Sequence, residues 1–429
     1  MFSPWLFAFL CTAISGMSIH DGLEPDTKVM PWPTDRPIQI SMREYEGEKP
    51  WWISLSEWEK RELKPIPDDL RDIVREVLAF YFNRTCLRFR EVKFEWEPMQ
   101  KWLQLKENTD QRLQNHTVEL QSDVTLPYAL LYKNPNRIVL TKDCLTFSTV
   151  AHEFGHVFGL FHTHTRSDRD NYVELLGTYK NIGQYPSYGN WGKQNTSNYA
   201  PYDFGSIMHY PRAMVGKYVD EYMTTKDPLR KYVIGTRTGP SQSDLLQLNM
   251  LYKCFDRCSA IKIHCLNGGF QNPNNCGECV CPRGFASRLC ETREVTSFNG
   301  RPCGATVIAR DQWQTVKGGP MSQTAPYRLF PKSTLMCHWH LKTSARHRIE
   351  IVLTKTSECN RWSCREGGVE IKLGDFGMGG YKFCCNSHLP KNHVFRTSGS
   401  LAHINLDVLK GENQASAALL GLALHEYAS

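Results

Sequence analysis

Beyond its first residues the chain has no apolar run approaching the roughly 20 residues that a membrane-spanning helix needs, so no span is expected. It also lacks a dense lysine–arginine block: 51 basic and 44 acidic residues among 429 leave a net charge of +7 dispersed along the sequence. A dispersed surplus reads as a solvated surface, and nucleic acid is not an expected partner. Cysteine is the opposite case. Sixteen are present, many for a reduced compartment, and they crowd the C-terminal part, where short segments cannot bury a core without staples.

Residues 1–16 form an apolar stretch that ends in small residues, Ala13 and Ser15, as a secretory signal peptide does. Three Asn-x-Ser/Thr sequons, at Asn83, Asn115 and Asn195, agree with an exported glycoprotein. Residues 17–30 read as a short polar pro-segment, and the folded region opens at Pro31-Trp32-Pro33. Pro37 to Met42 is the expected first strand. Pro67 to Tyr81 carries Leu70, Ile73, Val77 and Leu78 at helical spacing, with Asp68 and Asp69 in the first turn, where the helix dipole favours acid. Stretches 87–94 and 117–126 alternate, and Arg137 to Thr141 reads as a strand. The pattern predicts an α+β domain.

The chemistry is concentrated in residues 151–162. His152 and His156 lie four apart, so on a helix both rings face one point. Gly159 can take the left-handed conformation that ends a helix, which lets His162 approach the same point from another direction. Glu153 stands beside them. Three imidazoles and a carboxylate at this spacing are the donor set of a zinc protease. Gly155, inside the helix, costs about 1 kcal/mol against alanine, which implies a packing reason for its presence.

The run HExxHxxGxxH, then Arg166-Ser167-Asp168-Arg169-Asp170-Asn171-Tyr172-Val173, then Ser206-Ile207-Met208-His209-Tyr210, resembles the astacin metalloproteases over residues 31–255. The resemblance implies a two-lobed metzincin domain with a mixed sheet and a zinc helix. It implies one Zn2+ held by His152, His156 and His162, and Glu153 as general base toward a zinc-bound water. Tyr210 would be a further zinc contact that moves to the oxyanion, Met208 the Met-turn residue, and Cys86–Cys254 a long-range disulfide. His164 and His209 are not at ligand positions. Arg166, Asp168, Arg169 and Asp170 read as a loop-anchoring cluster, and Arg212 and Lys217 hint at a preference for acidic substrates. Two features depart from the family: Thr163 stands where a glutamate usually follows the third histidine, and no aspartate switch motif occurs upstream. Maturation by a trimmed N-terminus is therefore not expected. Cys144 matches a family position but has no partner cysteine between itself and Cys86, so a free buried thiol is the first reading and an intermolecular disulfide the second.

Residues 256–292 resemble an EGF-like module, which implies pairs Cys258–Cys276, Cys265–Cys279 and Cys281–Cys290. Residues 303–428 resemble a CUB domain, a β-sandwich with Cys303–Cys337 as its first pair; Cys359, Cys364, Cys384 and Cys385 stay unassigned. The whole reads as a secreted, extracellular zinc endopeptidase acting on extracellular proteins or peptides, with the CUB domain meeting a matrix or protein partner. The other reading is an inert extracellular binding or adhesion protein that uses the EGF-like and CUB modules.

Overall fold

The computed structural model describes residues 38–42, 68–91, 117–122, 128–130, 136–140, 146–177, 189–190, 192, 197–214, 220–236, 238–298, 301–318, 334–356, 364, 367–409 and 420–428. The expected leader and pro-segment, Asn115, Asn195, Cys144, Lys217 and Cys359 lie outside the described residues.

The first sheet has five strands, β1 (Ile38–Met42), β2 (Phe89–Glu91), β3 (Thr117–Ser122), β4 (Tyr128–Leu130) and β5 (Asn136–Leu140), in the order β2-β1-β3-β5-β4. β1 is parallel to β2 and β3, β3 is parallel to β5, and the edge strand β4 is antiparallel. Parallel strands require long crossovers. One of these contains α1 (Asp68–Arg84), and α2 (Phe147–Val157) follows β5.

α1 runs past the Tyr81 expected from its apolar spacing because its last turn is tied down. The Tyr81 hydroxyl donates to the Ala151 carbonyl of α2 at 2.8 Å, and Thr85 Oγ1 donates back to the Tyr81 carbonyl at 2.7 Å. Ile73, Val74, Val77 and Leu78 of α1 share one core with Val150, Ala151 and Phe154 of α2 and with Leu245 and Leu248 of α3 (Gln242–Leu251). Each of the larger side chains contributes about 1.5–3 kcal/mol on burial, so α2 is anchored on its apolar face. Disulfide Cys86–Cys254 joins the end of α1 to the segment after α3, across 168 residues.

A second core gathers Val173, Leu175, Tyr202, Phe204, Tyr210, Tyr222 and Met223 around the antiparallel pair Val173–Leu175 and Met223–Thr225. The end of α2 and Met208 belong to the first core. After α3 comes a module too short for a core, carrying disulfides Cys258–Cys276, Cys265–Cys279 and Cys281–Cys290.

The C-terminal region is a sandwich. One sheet runs Thr306–Ile308, Thr334–Lys342, Leu401–Leu409, Gly367–Lys372, Tyr381–Phe383, and the other Gln314–Gly318, Leu420–Ala428, His347–Lys355, Phe395–Arg396. Alternate residues from both sheets, such as Leu341, Ile351, Ile371, Ile404 and Leu424, meet in one apolar core. Cys303–Cys337 and Cys364–Cys384 are disulfides, and Cys385 is also disulfide-bonded.

Candidate metal centre

α2 starts at Thr146, whose side chain accepts from the Thr149 amide, and ends in a glycine cap. Gly159 has φ +98°; its amide donates to the His156 carbonyl and that of Leu160 to the Gly155 carbonyl. This pair of bonds closes the helix and reverses the chain. His162 thereby returns to the face that carries His152 and His156.

All three imidazoles are buried, at no more than 2% exposure. His152 Nδ1 lies 2.8 Å from the Ile207 carbonyl and His156 Nδ1 2.8 Å from the Leu160 carbonyl. A carbonyl only accepts, so both Nδ1 atoms carry the proton and each Nε2 presents a lone pair. The Nε2 atoms converge: His156 to His162 is 3.1 Å and His162 to His152 is 3.3 Å. Lone pairs aimed at one another call for a cation between them. Tetrahedral coordination with Zn–N near 2.05 Å separates ligand nitrogens by about 3.3 Å, so the donor set and its spacing fit zinc.

Glu153 is buried on the same turn of α2. The Tyr210 ring lies 4.3 Å from that of His162 and stacks on His164 at 4.1 Å. His164 is not in the ligand group, and His209 is tied to the Tyr202 hydroxyl and the Tyr210 carbonyl; burial lowers the pKa of His209 to about 4, so it is neutral at pH 7. Met208 explains Gly155: a Cβ there would lie 2.8 Å from the Met208 sulfur. Among the described residues one other cluster has metal-ligand atoms, Cys364, Cys384 and His388, but its two sulfurs are spent in a disulfide.

Thr163, Ser206 and Asp244 tie the centre together through contacts that the motifs do not reveal. Thr163 Oγ1 donates to Ser206 Oγ at 2.9 Å, and Ser206 Oγ donates to Asp244 Oδ1 at 2.6 Å. Asp244 Oδ2 also accepts from the amides of Ile207 and Ser241, both at 2.9 Å. Burial, and then the charge of Asp203, raise the Asp244 pKa to about 6. The available signal was Ser241-x-x-Asp244, a capping box at the start of α3. Its carboxylate is shared with the turn that holds His152.

The charge cluster anchors loops as expected. Arg166 forks onto Asp168 and reaches the Ala200 carbonyl, while Arg169 bonds Asp170 and the His164 carbonyl. Arg212 differs from its reading: it is buried and paired with Glu221, so its charge is neutralised inside the fold and does not select acidic substrates. Asn83 is exposed on the last turn of α1, whereas Thr85 of its sequon is buried.

A buried three-imidazole centre with a carboxylate on the same helical turn is the site of a zinc metallopeptidase. The profile of the Astacin peptidase family matches residues 63–253. The zinc metalloproteinase nas-27 of Caenorhabditis elegans is 28% identical over 361 residues, 79% of this chain and 77% of that protein. Nas-31 of the same organism is 34% identical over 270 residues, 61% of this chain and 42% of that protein. A hatching enzyme zinc-protease of the medaka Oryzias latipes aligns with 52% of this chain and 94% of its own, at 22% identity and TM-score 0.35, too loosely to carry an argument. The chain therefore carries an astacin-family domain, and that domain is a zinc metalloendopeptidase.

Proposed function

We propose that the protein is a secreted zinc-dependent endopeptidase that hydrolyses peptide bonds of extracellular proteins. The observation that carries this reading is the convergence of three buried Nε2 atoms, those of His152 and His156 fixed by carbonyls at Nδ1, beside the carboxylate of Glu153. His152, His156 and His162 are assigned as the zinc ligands. Zinc held by these imidazoles would supply Lewis acidity toward a water and toward the scissile carbonyl. Glu153 would act as the general base that takes the proton of the attacking water and as the acid that gives it to the leaving amine, a role worth about 10²–10⁴ in rate. The Tyr210 phenol donates to the developing oxyanion, with its ring held between His162 and His164. Met208 packs against Gly155 and does no chemistry.

Export is read from the leader at 1–16, the sequons at Asn83, Asn115 and Asn195, and the disulfides. Residues 256–292 are read as an EGF-like module and 303–428 as a CUB domain for a matrix or protein partner. Thr163 spends its hydroxyl on Ser206 and brings no carboxylate for a new N-terminal amine, so activity does not depend on a trimmed N-terminus. A single cut within the domain's first residues, with activity only afterwards, would refute that point. The main test compares cleavage of a generic unfolded protein by the wild type, by Glu153→Ala and by wild type with a zinc chelator. Activity lost in both controls is the expected result; equal cleavage in all three would overturn the reading.

A further inference from the structure

The turn that enters the centre from the second core is not supported by its own domain alone. Asp203 is buried, and its Oδ1 accepts from the Gly205 amide at 2.8 Å and from the Gly379 amide of the C-terminal sandwich at 2.7 Å. Arg230 Nη1 donates to the Gly379 carbonyl at 2.8 Å, with its guanidinium 5.1 Å from the Phe204 ring and 4.5 Å from the Tyr381 ring. Both backbone groups of Gly379 are thus held by side chains of the peptidase domain. The approach leaves no room for a side chain. A Cβ on Gly205 would lie 2.8 Å from Gly379 Cα, and one on Gly379 would lie 2.6 Å from Gly205 Cα. Nearby, His388 of the sandwich stacks on Tyr232 at 3.8 Å with 8° between the rings.

From Asp203 the chain runs straight into the centre. The Ser206 amide donates to the Asp203 carbonyl, and Ile207 offers its carbonyl to His152. Asp203 Oδ2 has no hydrogen-bond partner among the described residues, so the carboxylate depends on the two amides at Oδ1. Removing one leaves a buried acceptor oxygen short of a donor, which favours rearrangement of the turn.

We infer that the 374–380 loop of the C-terminal sandwich is a working part of the peptidase centre: Gly379, by holding Asp203, fixes the turn whose Ile207 carbonyl orients His152. Gly379 and Asp203 are positioning residues, and the sandwich is a component of the enzyme. This rests on the peptidase reading, which the Glu153→Ala comparison tests separately.

The test uses the full-length protein with Gly379→Ala, which alters no residue of the peptidase domain. Substrate is a short quenched peptide that spans only the cleft. The expected result is a kcat lower by about ten- to a hundredfold, the scale on which misplacement by an ångström acts, with KM within about twofold. Zinc should also pass faster to a chelator, and the cobalt(II)-substituted protein should show a changed visible band, since both report how His152 is held. Arg230→Gln removes the bond to the Gly379 carbonyl together with the guanidinium's contacts to Phe204, Tyr381 and Asp227 and guards against a Gly379 variant that is not secreted; a smaller shift in the same direction is expected. Asp203→Asn keeps an acceptor oxygen and should retain more activity than Asp203→Ala. Unchanged kcat, zinc release and cobalt band in both Gly379→Ala and Arg230→Gln would overturn the inference. So would a loss confined to KM or to thermal stability.

Discussion

Among its described residues the protein buries two histidine trios, and the contrast between them shows what makes a ligand. In the peptidase domain His152, His156 and His162 turn their Nε2 atoms toward one point, because backbone carbonyls hold Nδ1 of His152 and His156. In the sandwich His338, His340 and His403 are equally buried. There His338 Nδ1 lies 3.2 Å from His403 Nε2, and His340 Nε2 is spent on the Gly284 carbonyl at 2.9 Å. Those rings do not offer three convergent lone pairs. Burial removes charge from the sandwich trio: it lowers His338 to about 3 and His340 to about 4, and takes His403 well below its usual value. What separates a metal site from a packed histidine cluster is therefore which nitrogen is tied, and to what.

The largest way to break this comparison is to exchange the roles. His152→Ala should lower peptidase activity on the order of a thousandfold or more, because several kcal/mol of charge stabilisation leave with the metal. His403→Ala, assayed on the same short peptide, should leave kcat within about an order of magnitude. Similar losses from both would erase the distinction. Tyr210→Phe keeps the ring packing on His162 and His164 and removes only the hydroxyl; kcat should fall about a hundredfold, typical for one oxyanion donor. An unchanged kcat would confine Tyr210 to packing.

Stability sharpens the comparison further. Cys86→Ser with Cys254→Ser should cost the peptidase domain about 2–5 kcal/mol and leave hydrogen-exchange protection in the sandwich unchanged. The smallest effect is in pH, where the two regions respond with opposite sign. Asp244 titrates near 6 when folded, above its usual 3.8, so the native state holds its proton more firmly than the unfolded chain. The peptidase domain should lose stability from this group as pH rises from about 4 to about 6 and then level off. The sandwich histidines have folded pKa values below 6.5. Their contribution is complete above about 6.5 and is lost as pH falls toward 4. Regional hydrogen exchange between pH 4 and 7 checks both, with Asp244→Asn expected to flatten only the peptidase slope.

Much of the site was legible because its information is local. His152 and His156 at a spacing of four, with Gly159 ending the helix before His162, specify a metal-binding turn within eleven residues. The α1 face was legible for the same reason, since a helical period is written in consecutive turns. What stayed hidden depends on contacts between distant segments. Thr163, Ser206 and Asp244 form one chain of hydrogen bonds across residues 163–244, and no periodicity records that. Arg212 looked available because its partner Glu221 lies beyond a turn. The Gly205–Gly379 contact could not be read at all, because two glycines with no side chains leave no pattern to recognise.

Metal content tests the central claim most directly. The secreted chain, its His156→Ala variant and its His338→Ala variant would each be dialysed against buffer with trace zinc and assayed for bound metal by elemental mass spectrometry. The account predicts one zinc per chain in the wild type and in His338→Ala, and none retained in His156→Ala. Zinc retained at one per chain in His156→Ala, or lost in His338→Ala with the sandwich still folded, would contradict it.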